Sequence, residues 1–225
     1  MPGHYVDIPV GREGAQVVAD RLRQVYILRP GDTCPPLHIV AEKGSRTEVT
    51  LVVMPGVDVD IRVDVDLMGE GADLRMAGLY VCGGKERVSV HTRVCHRAPG
   101  CSSDQVFTGI AGGGARVAFH GTIVVAPDAQ QTQAFQQSRN LLLSQDARVE
   151  TEPQLEIYAD DVKCSHGATV VSLNADEQFY MRSRGVPEAE AKVLQMLSFL
   201  SPVLAGLEEK DALAAELEQA IRSIV

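Results

Sequence analysis

Short apolar runs separated by turn residues fill the middle of the chain, from about residue 46 to residue 173. Most of these runs are rich in β-branched residues and are bounded by Gly, Pro, Asp or Asn, which is typical of strands. One run, VDVDIRVDVDL, alternates strictly and therefore predicts a strand with one apolar and one charged face. The predicted strands are TEVTLVVMP, VDVDIRVDVDL, LRMAGLYVC, ERVSVHTRVC, DQVFTGI, RVAFHGTIVV, QLEIYA and ATVVSL.

The turns between these runs recur at a regular interval. Successive turns end about 15 residues apart, which indicates a coil-like repeat. The residues that follow the turns are Asp73, Arg87, Ser103, Arg116, Thr132, Arg148 and Lys163. A repeat of two short strands buries its apolar face only by stacking on its neighbours, so the interval favours a β-solenoid. A β-sandwich or barrel also has evenly spaced strands and stays open on this pattern.

The N-terminal end has a different pattern. The segment REGAQVVADRLRQVY, residues 12–26, is weakly helical, and PGDTCPP has the composition of a loop. We therefore predict an irregular or partly helical segment over residues 1–45, which leads into a solenoid over residues 46–173.

After Leu173 the pattern changes to that of helices. Asn174 and Glu177 form a capping-box-like arrangement that opens a first helix, and Gly185 ends it. Pro187 suits the first turn of a second helix, and a further amphipathic stretch follows from Glu208. We predict a helical region over residues 174–225 that covers the end of the solenoid.

Composition narrows the classes of partner. The net charge of −9 and the absence of a Lys/Arg run argue against nucleic-acid binding. The start, MPGHYVDIPVG, lacks the features of a secretory signal, so we expect a cytoplasmic protein. The longest apolar stretch, residues 193–207, is too short and too interrupted for membrane insertion. The five cysteines are odd in number and irregularly spaced, so we expect free thiols.

Two motifs resemble known sites only in part. CGGKER has Leu79 and Glu86 where a phosphate-binding loop needs Gly and Ser or Thr, so it predicts a Gly-Gly turn. HTRVCHRAPGC contains His91, Cys95, His96 and Cys101, which are possible zinc ligands. On a strand His91 and Cys95 face one side and His96 the other, so strand and turn roles are favoured.

The segment YADDVKCSHGATV offers the strongest candidate site. On an extended strand Cys164 and His166 share one face, with Ser165 opposite. Thiolate and imidazole suit iron, sulfide or zinc, whereas Asp160 and Asp161 prefer harder ions. A nucleophilic Cys-His pair and a purely structural Cys beside a surface His remain alternatives.

Residues 116–186 resemble the core of the SufB/SufD family of iron–sulfur cluster assembly proteins. The shared motifs include F-x-G-x-I-x-V, A-Q-x-T-x-A-x-Q, N-L-L-L-S, P-x-L-E-I-x-A-D-D-V-K-C-S-H-G-A-T and F-Y-x-R-S-R-G. The amino-acid sequence around Cys164 is more similar to that of SufD than to that of SufB. The resemblance implies a right-handed parallel β-helix, mainly β, with a C-terminal helical region.

The resemblance also implies a function and partners. It implies a non-enzymatic scaffold subunit that works with a SufC-type ATPase, which it contacts through residues 174–200. It further implies pairing of the β-helix with a SufB-like subunit or with itself, and sulfur supply by a cysteine desulfurase. Cys164 and His166 would then be ligands for a transient iron–sulfur cluster at the subunit interface.

Two departures from the family and two rival functions accompany this interpretation. Val171 stands where the family usually has Gly, and the N-terminal helical extension of SufD is missing, as expected of a short variant or of a protein that works without the standard partner.

One rival function is a structural interaction module without a cluster-ligand role. The other is a β-helix carbohydrate enzyme, for which VDVDIRVDVDL could supply carboxylates.

Overall fold

Strands occupy most of the chain and helices its C-terminal part. The computed structural model describes residues 14–207 and 210–225, and within them twelve strands precede three helices. The strands are β1 Gln16–Val18, β2 Arg21–Leu28, β3 Leu37–Ala41, β4 Arg46–Val53, β5 Val59–Leu67, β6 Asp73–Cys82, β7 Arg87–His96, β8 Ser102–Ala111, β9 Arg116–Val125, β10 Thr132–Leu142, β11 Arg148–Ile157 and β12 Val162–Ser172. The helices are α1 Ala175–Ser183, α2 Glu188–Leu204 and α3 Lys210–Arg222.

The strands form two parallel sheets that the chain visits in turn. Sheet A has the order β1-β3-β5-β7-β9-β11, and sheet B has the order β12-β10-β8-β6-β4-β2. Every pairing is parallel and joins a strand to the next but one, as β6 pairs with β8. This arrangement confirms the predicted β-solenoid and excludes a sandwich, which is built from antiparallel strands.

The size of the repeat differs from the prediction. Ser102 on β8 is the register partner of Asp73 on β6, which lies 29 residues earlier in the chain. The predicted interval of about 15 residues is therefore one strand with its turn, and a full coil contains two of them. Five of the seven predicted turn exits are the first residues of strands: Asp73, Arg87, Arg116, Thr132 and Arg148.

Alternation explains the interior. In β5, Ile61, Val63 and Val65 are buried while Asp60 and Asp64 are exposed, as the pattern predicted. Such positions stack from coil to coil into one apolar core between the sheets. Each side chain of the core packs against its register neighbours about 4.8 Å away on both sides.

The helical interpretation of residues 12–26 is wrong within the described residues. β1 and β2 lie there, so strands start before residue 46. Propensity was misleading because Arg21–Leu28 pairs along its length with β4, and these tertiary contacts decide a weak local preference. The division of the chain into three ranges stays a prediction.

The C-terminal helices follow their sequence signals. The Asn174 side chain accepts hydrogen bonds from the backbone N–H groups of Asp176 and Glu177 and so caps α1. Gly185, with φ of 90°, ends this helix, and the Val186 N–H bonds to the Met181 carbonyl. None of the helices in the described ranges is both long and apolar enough to cross a membrane.

The helices cover part of the outer face of sheet B and leave the end of the stack at β12 open, so the prediction that they cover the end of the solenoid is wrong. Apolar outward positions near the ends of its strands form a second core with α2 and α3. Leu79 and Ile110 from the sheet meet Met196, Leu200 and Leu217 from the helices, all fully buried. The outer face of sheet A carries no helix among the described residues.

Candidate functional site: an open end with Cys164 and His166

β12 is the last strand of sheet B, and its inward positions continue the interior of the solenoid. Cys164 pairs in register with Ala134 on β10, and His166 pairs with Gln136. Both partners are buried inward positions, so Cys164 and His166 share the inward face. No described strand pairs with the far side of β12. The two side chains therefore lie where the interior opens.

Cys164 is partly buried at the edge of a small apolar cluster. The cluster contains Ile123, Val125 and Ala134, and Cys164 packs against it. Burial raises the pKa of the Cys164 thiol above its usual value, and a backbone hydrogen bond with Ala134 opposes this shift in part. The thiol therefore keeps its proton at neutral pH, and a metal ion that binds it must displace that proton.

His166 is exposed and has no hydrogen-bond partner within the described residues. In particular, no hydrogen bond joins it to Cys164. A catalytic nucleophile and its base require such contact, so the Cys-His pair is not assembled as a nucleophilic centre. Its ring nitrogens remain available to a ligand.

The polar neighbours in the same segment point elsewhere. Ser165 pairs with Phe135, an outward and exposed position. Asp160 and Asp161 lie in the turn before β12, where the Asp161 N–H donates to Gln130 Oε1 at 2.9 Å. Among the residues that the structure describes, no three His, Cys, Asp or Glu side chains are grouped to hold a metal ion. One chain thus offers only the Cys164 and His166 pair here.

The four residues of HTRVCHRAPGC do not converge. His91 lies on the outer face of sheet A, where its ring stacks on His120 with centroids 4.9 Å apart. His96 lies in the interior and its Nε2 meets Ser103 Oγ at 2.9 Å. Cys95 is buried, which raises its pKa to about 11, and Cys101 donates to the Gly69 carbonyl at 3.2 Å. Their spread favours the strand and turn roles.

CGGKER forms the predicted turn between β6 and β7. The Glu86 carboxylate accepts hydrogen bonds from the backbone N–H groups of Gly56, Gly83 and Gly84, at 3.0, 3.2 and 2.7 Å. A carboxylate therefore occupies the donors that a phosphate would need. This turn is closed to nucleotide phosphates.

Two of the four carboxylates of VDVDIRVDVDL, those of Asp60 and Asp66, are engaged in ion pairs. Arg62 donates to Asp60 at 3.0 Å and thereby lowers the pKa of that carboxyl. Buried Asp66 accepts from Arg97 at 2.7 Å and meets His38 at 3.1 Å. A glycosidase needs a carboxylic acid with a raised pKa. The shift at Asp60 has the opposite sign, which argues against the carbohydrate enzyme.

A row of polar side chains inside the last coils escaped the sequence prediction. Gln105, Gln136, Ser138 and Asn140 are buried on β8 and β10. The Thr92 hydroxyl and the Gln136 amide both donate to Gln105 Oε1 at 3.3 Å. Alternation alone would have placed these residues on the inward face. Because they are polar, the strand Thr132–Leu142 did not look like an apolar run and was not among the predicted strands.

Comparison with known proteins identifies the family. Residues 35–199 match the family model described as SUF system FeS cluster assembly, SufBD core domain. The chain belongs to this family. It is 39% identical to the iron–sulfur cluster assembly protein SufD of Escherichia coli over 144 residues, or 64% of this chain and 34% of that protein.

Two further relatives extend the match. A SufBD family protein of Synechocystis is 38% identical over 135 residues, which cover 60% of this chain and 30% of the relative. A SufBD family protein of Mycobacterium tuberculosis is 29% identical over 214 residues, which cover 89% of this chain and 54% of the relative. The chain is a SufBD family protein and a homologue of SufD, and it spans 30% to 54% of these relatives' length.

Proposed function

We propose that this chain is a non-enzymatic, cytoplasmic scaffold subunit on which an iron–sulfur cluster is assembled before transfer. Cys164 binds iron or sulfide as a thiolate, and His166 supplies a second ligand. The observation that carries the proposal is that the two side chains share the inward face of the last described strand. Thiolate sulfur and imidazole nitrogen suit iron better than hard ions.

Ligand number supports pairing of two chains. The described residues of one chain bring together two soft or borderline ligands at this end of the solenoid. Tetrahedral metal and cluster sites commonly use four. Two chains related by a twofold axis would present Cys164 and His166 twice, since such an interface repeats each contact. A SufB-like subunit in place of the second copy would serve in the same way.

Apolar groups at the open end support the same pairing. Val170 on β12 pairs with buried Asn140 yet is 44% exposed, because no described strand covers it. Ile157 at the end of β11 is 41% exposed. Exposed apolar side chains on an unpaired sheet edge mark a surface that another chain covers.

The helical region provides a second surface for a partner. α1 has no buried residues, and Phe179 and Tyr180 are 74% and 60% exposed. A groove of about 660 Å³ between α1 and α2 is lined by Tyr180, Met181, Leu194 and Phe199, among others. Exposed aromatics beside a groove are typical of protein interfaces. We assign residues 174–200 to a SufC-type ATPase, with sulfur supplied by a cysteine desulfurase.

Anaerobic reconstitution with iron and sulfide tests the ligand role. We expect Cys164→Ser and His166→Ala to lose most of the cluster absorbance of the wild type, because each removes a ligand. Ser165→Ala is the matched control, since it lies between them on the opposite face and should keep full absorbance. Unchanged absorbance in both ligand variants refutes the role and favours a structural interaction module.

A further inference from the structure

The inward residue beside His166 belongs to a column of polar side chains. Gln105, Gln136 and His166 are register neighbours on β8, β10 and β12, and all three occupy the same inward column. Neighbouring positions in such a column are about 4.8 Å apart. Gln136 is therefore the side chain of β10 nearest to His166 in register.

The hydrogen bonds along this column have a defined direction. Gln136 Nε2 donates to Gln105 Oε1 at 3.3 Å, and that oxygen also accepts from Thr92 at 3.3 Å. The amide nitrogen of Gln136 therefore donates to a residue of β8. Its other amide atom, Oε1, is buried and has no hydrogen-bond partner among the described residues. Gln136 thus has an unused acceptor, and the neighbouring strand on its other side is β12.

Gly121 on sheet A restricts the position of this amide. A Cβ at Gly121 would lie 2.3 Å from Gln136 Nε2, so the glycine leaves room that the amide fills. The side chain is only 3% exposed, and a buried carbonyl oxygen without a partner is unfavourable. Gln105 Nε2 also has no partner among the described residues, but Gln105 already accepts from Gln136 through its Oε1. On the other side of Gln136, the residue of the column that can donate is His166.

We infer that Gln136 is a positioning residue for His166. When the exposed His166 ring turns toward β10, one ring N–H donates to Gln136 Oε1. This bond fixes the tautomer and leaves the lone pair of the other nitrogen for iron. Metal-binding histidines generally donate their second N–H to a fixed acceptor, and this raises the basicity of the binding nitrogen. This role rests on the proposed function of His166, although the hydrogen bond itself does not require metal.

The hydrogen bond is tested first in metal-free protein. The tautomer of His166 is measured by long-range ¹H–¹⁵N correlation at about pH 8. We expect a single tautomer in the wild type and a mixture in Gln136→Leu, which has no acceptor. Gln136→Glu restores an oxygen at the same position and should restore the single tautomer. Gln137→Leu, at the adjacent exposed position, is the control and should match the wild type.

The second measurement is Co²⁺ binding, followed by thiolate-to-cobalt absorption. We expect Gln136→Leu to weaken affinity about 10- to 100-fold, and Gln136→Glu and Gln137→Leu to retain it. If Gln136→Leu does not fold, Gln136→Asn, whose shorter amide cannot reach His166, replaces it in both measurements.

The two proposals fail in different ways. A mixed tautomer in the wild type, or a single tautomer that survives in Gln136→Leu, overturns the role of Gln136 whatever the cluster does. A fixed tautomer that depends on Gln136, together with full cluster absorbance in His166→Ala, supports the hydrogen bond and refutes the ligand role.

Discussion

Two aromatic side chains fill the middle of the solenoid, and glycine stands beside each of them. A Cβ at Gly109 would lie 1.7 Å from Tyr80 Cε2, and a Cβ at Gly78 would lie 2.4 Å from Phe107 Cδ1. Both rings are almost fully buried, and the Tyr80 hydroxyl donates to Asn140 Oδ1. Each ring therefore takes the space that its neighbour in the next coil leaves free.

This packing makes one glycine intolerant of change. We expect Gly109→Ala to reduce the free energy of unfolding by about 1–3 kcal/mol, because the added methyl group collides with a ring that cannot move away. Gly167→Ala is the control, since its Cβ would meet nothing within 4 Å. Urea unfolding measures both, and equal stability of the two variants would contradict the steric account.

The buried imidazole of His96 gives the protein an acid-sensitive component of stability. Its Nε2 meets Ser103 Oγ at 2.9 Å, whereas its Nδ1 has no partner among the described residues. Burial lowers the pKa of His96 to about 4, so the ring is neutral at pH 7. Because the unfolded ring has a pKa of about 6.5, the unfolded state binds the proton first as pH falls.

We therefore expect stability to fall as pH decreases from about 6.5 to about 4, by about 3 kcal/mol from this group. The contribution is fully present above pH 6.5 and is lost below pH 4. Urea unfolding at a series of pH values measures it, and His96→Gln should flatten this part of the curve. A His96→Gln curve parallel to that of the wild type would show that other groups cause the acid sensitivity.

At the scale of elements, α1 differs from the other helices. α2 and α3 contribute buried residues to the second core, whereas α1 has none and is held by polar contacts. Gln195 on α2 donates to Glu177 Oε2 at 2.8 Å and to the Asn174 carbonyl at 3.1 Å. α1 thus presents its aromatic side chains outward from a fixed position.

This geometry predicts which change separates the chain from the ATPase proposed as its partner. We expect Phe179→Ser combined with Tyr180→Ser to lose retention of a SufC-type ATPase in a pull-down, because the pair supplies the most exposed apolar groups of α1. The change should leave the melting temperature nearly unaltered, since neither ring is buried. Met68→Ser, in the turn between β5 and β6, is the control and should retain the ATPase. Retention of the ATPase by the double variant would show that Phe179 and Tyr180 are not part of its binding surface.

At the scale of the molecule, the two ends of the stack differ. The interior of the early coils is largely aliphatic, whereas the last coils contain Gln105, Gln136, Ser138 and Asn140. The column of Gln105 and Gln136 continues to His166 on β12. The adjacent inward column, which contains Ala134, continues to Cys164. The polar core, the candidate ligands and the uncovered edge therefore coincide at one end.

We expect this end to mediate pairing in solution. Val170→Lys places a charge on the uncovered inward face, and its desolvation would oppose burial against a second chain. Light scattering should then report dimers for the wild type and monomers for the variant. Val17→Lys, at a 45% exposed position on β1 at the other end of the stack, should remain dimeric. A Val170→Lys dimer would contradict this interface, and a wild-type monomer would exclude pairing of the chain with itself.

The sequence by itself determined the local features of this protein. The positions of turn residues predicted the first residues of five strands, and alternation predicted the apolar face of β5. Asn174 and Gly185 predicted where α1 begins and ends. The two-residue spacing of Cys164 and His166 put both on one face of a strand. These features depend on backbone geometry within a few residues, which is why a pattern is sufficient to predict them.

Only the tertiary structure decided which strands are neighbours. Pairing joins residues about 30 positions apart, and such contacts are chosen by burial across coils rather than by local propensity. These contacts make a full coil twice as long as predicted, and they place residues 16–18 and 21–28 in strands. They also stack Gln136 between Gln105 and His166. The pairing leaves β12 as an end strand, because a strand is exposed only when no later segment pairs with it.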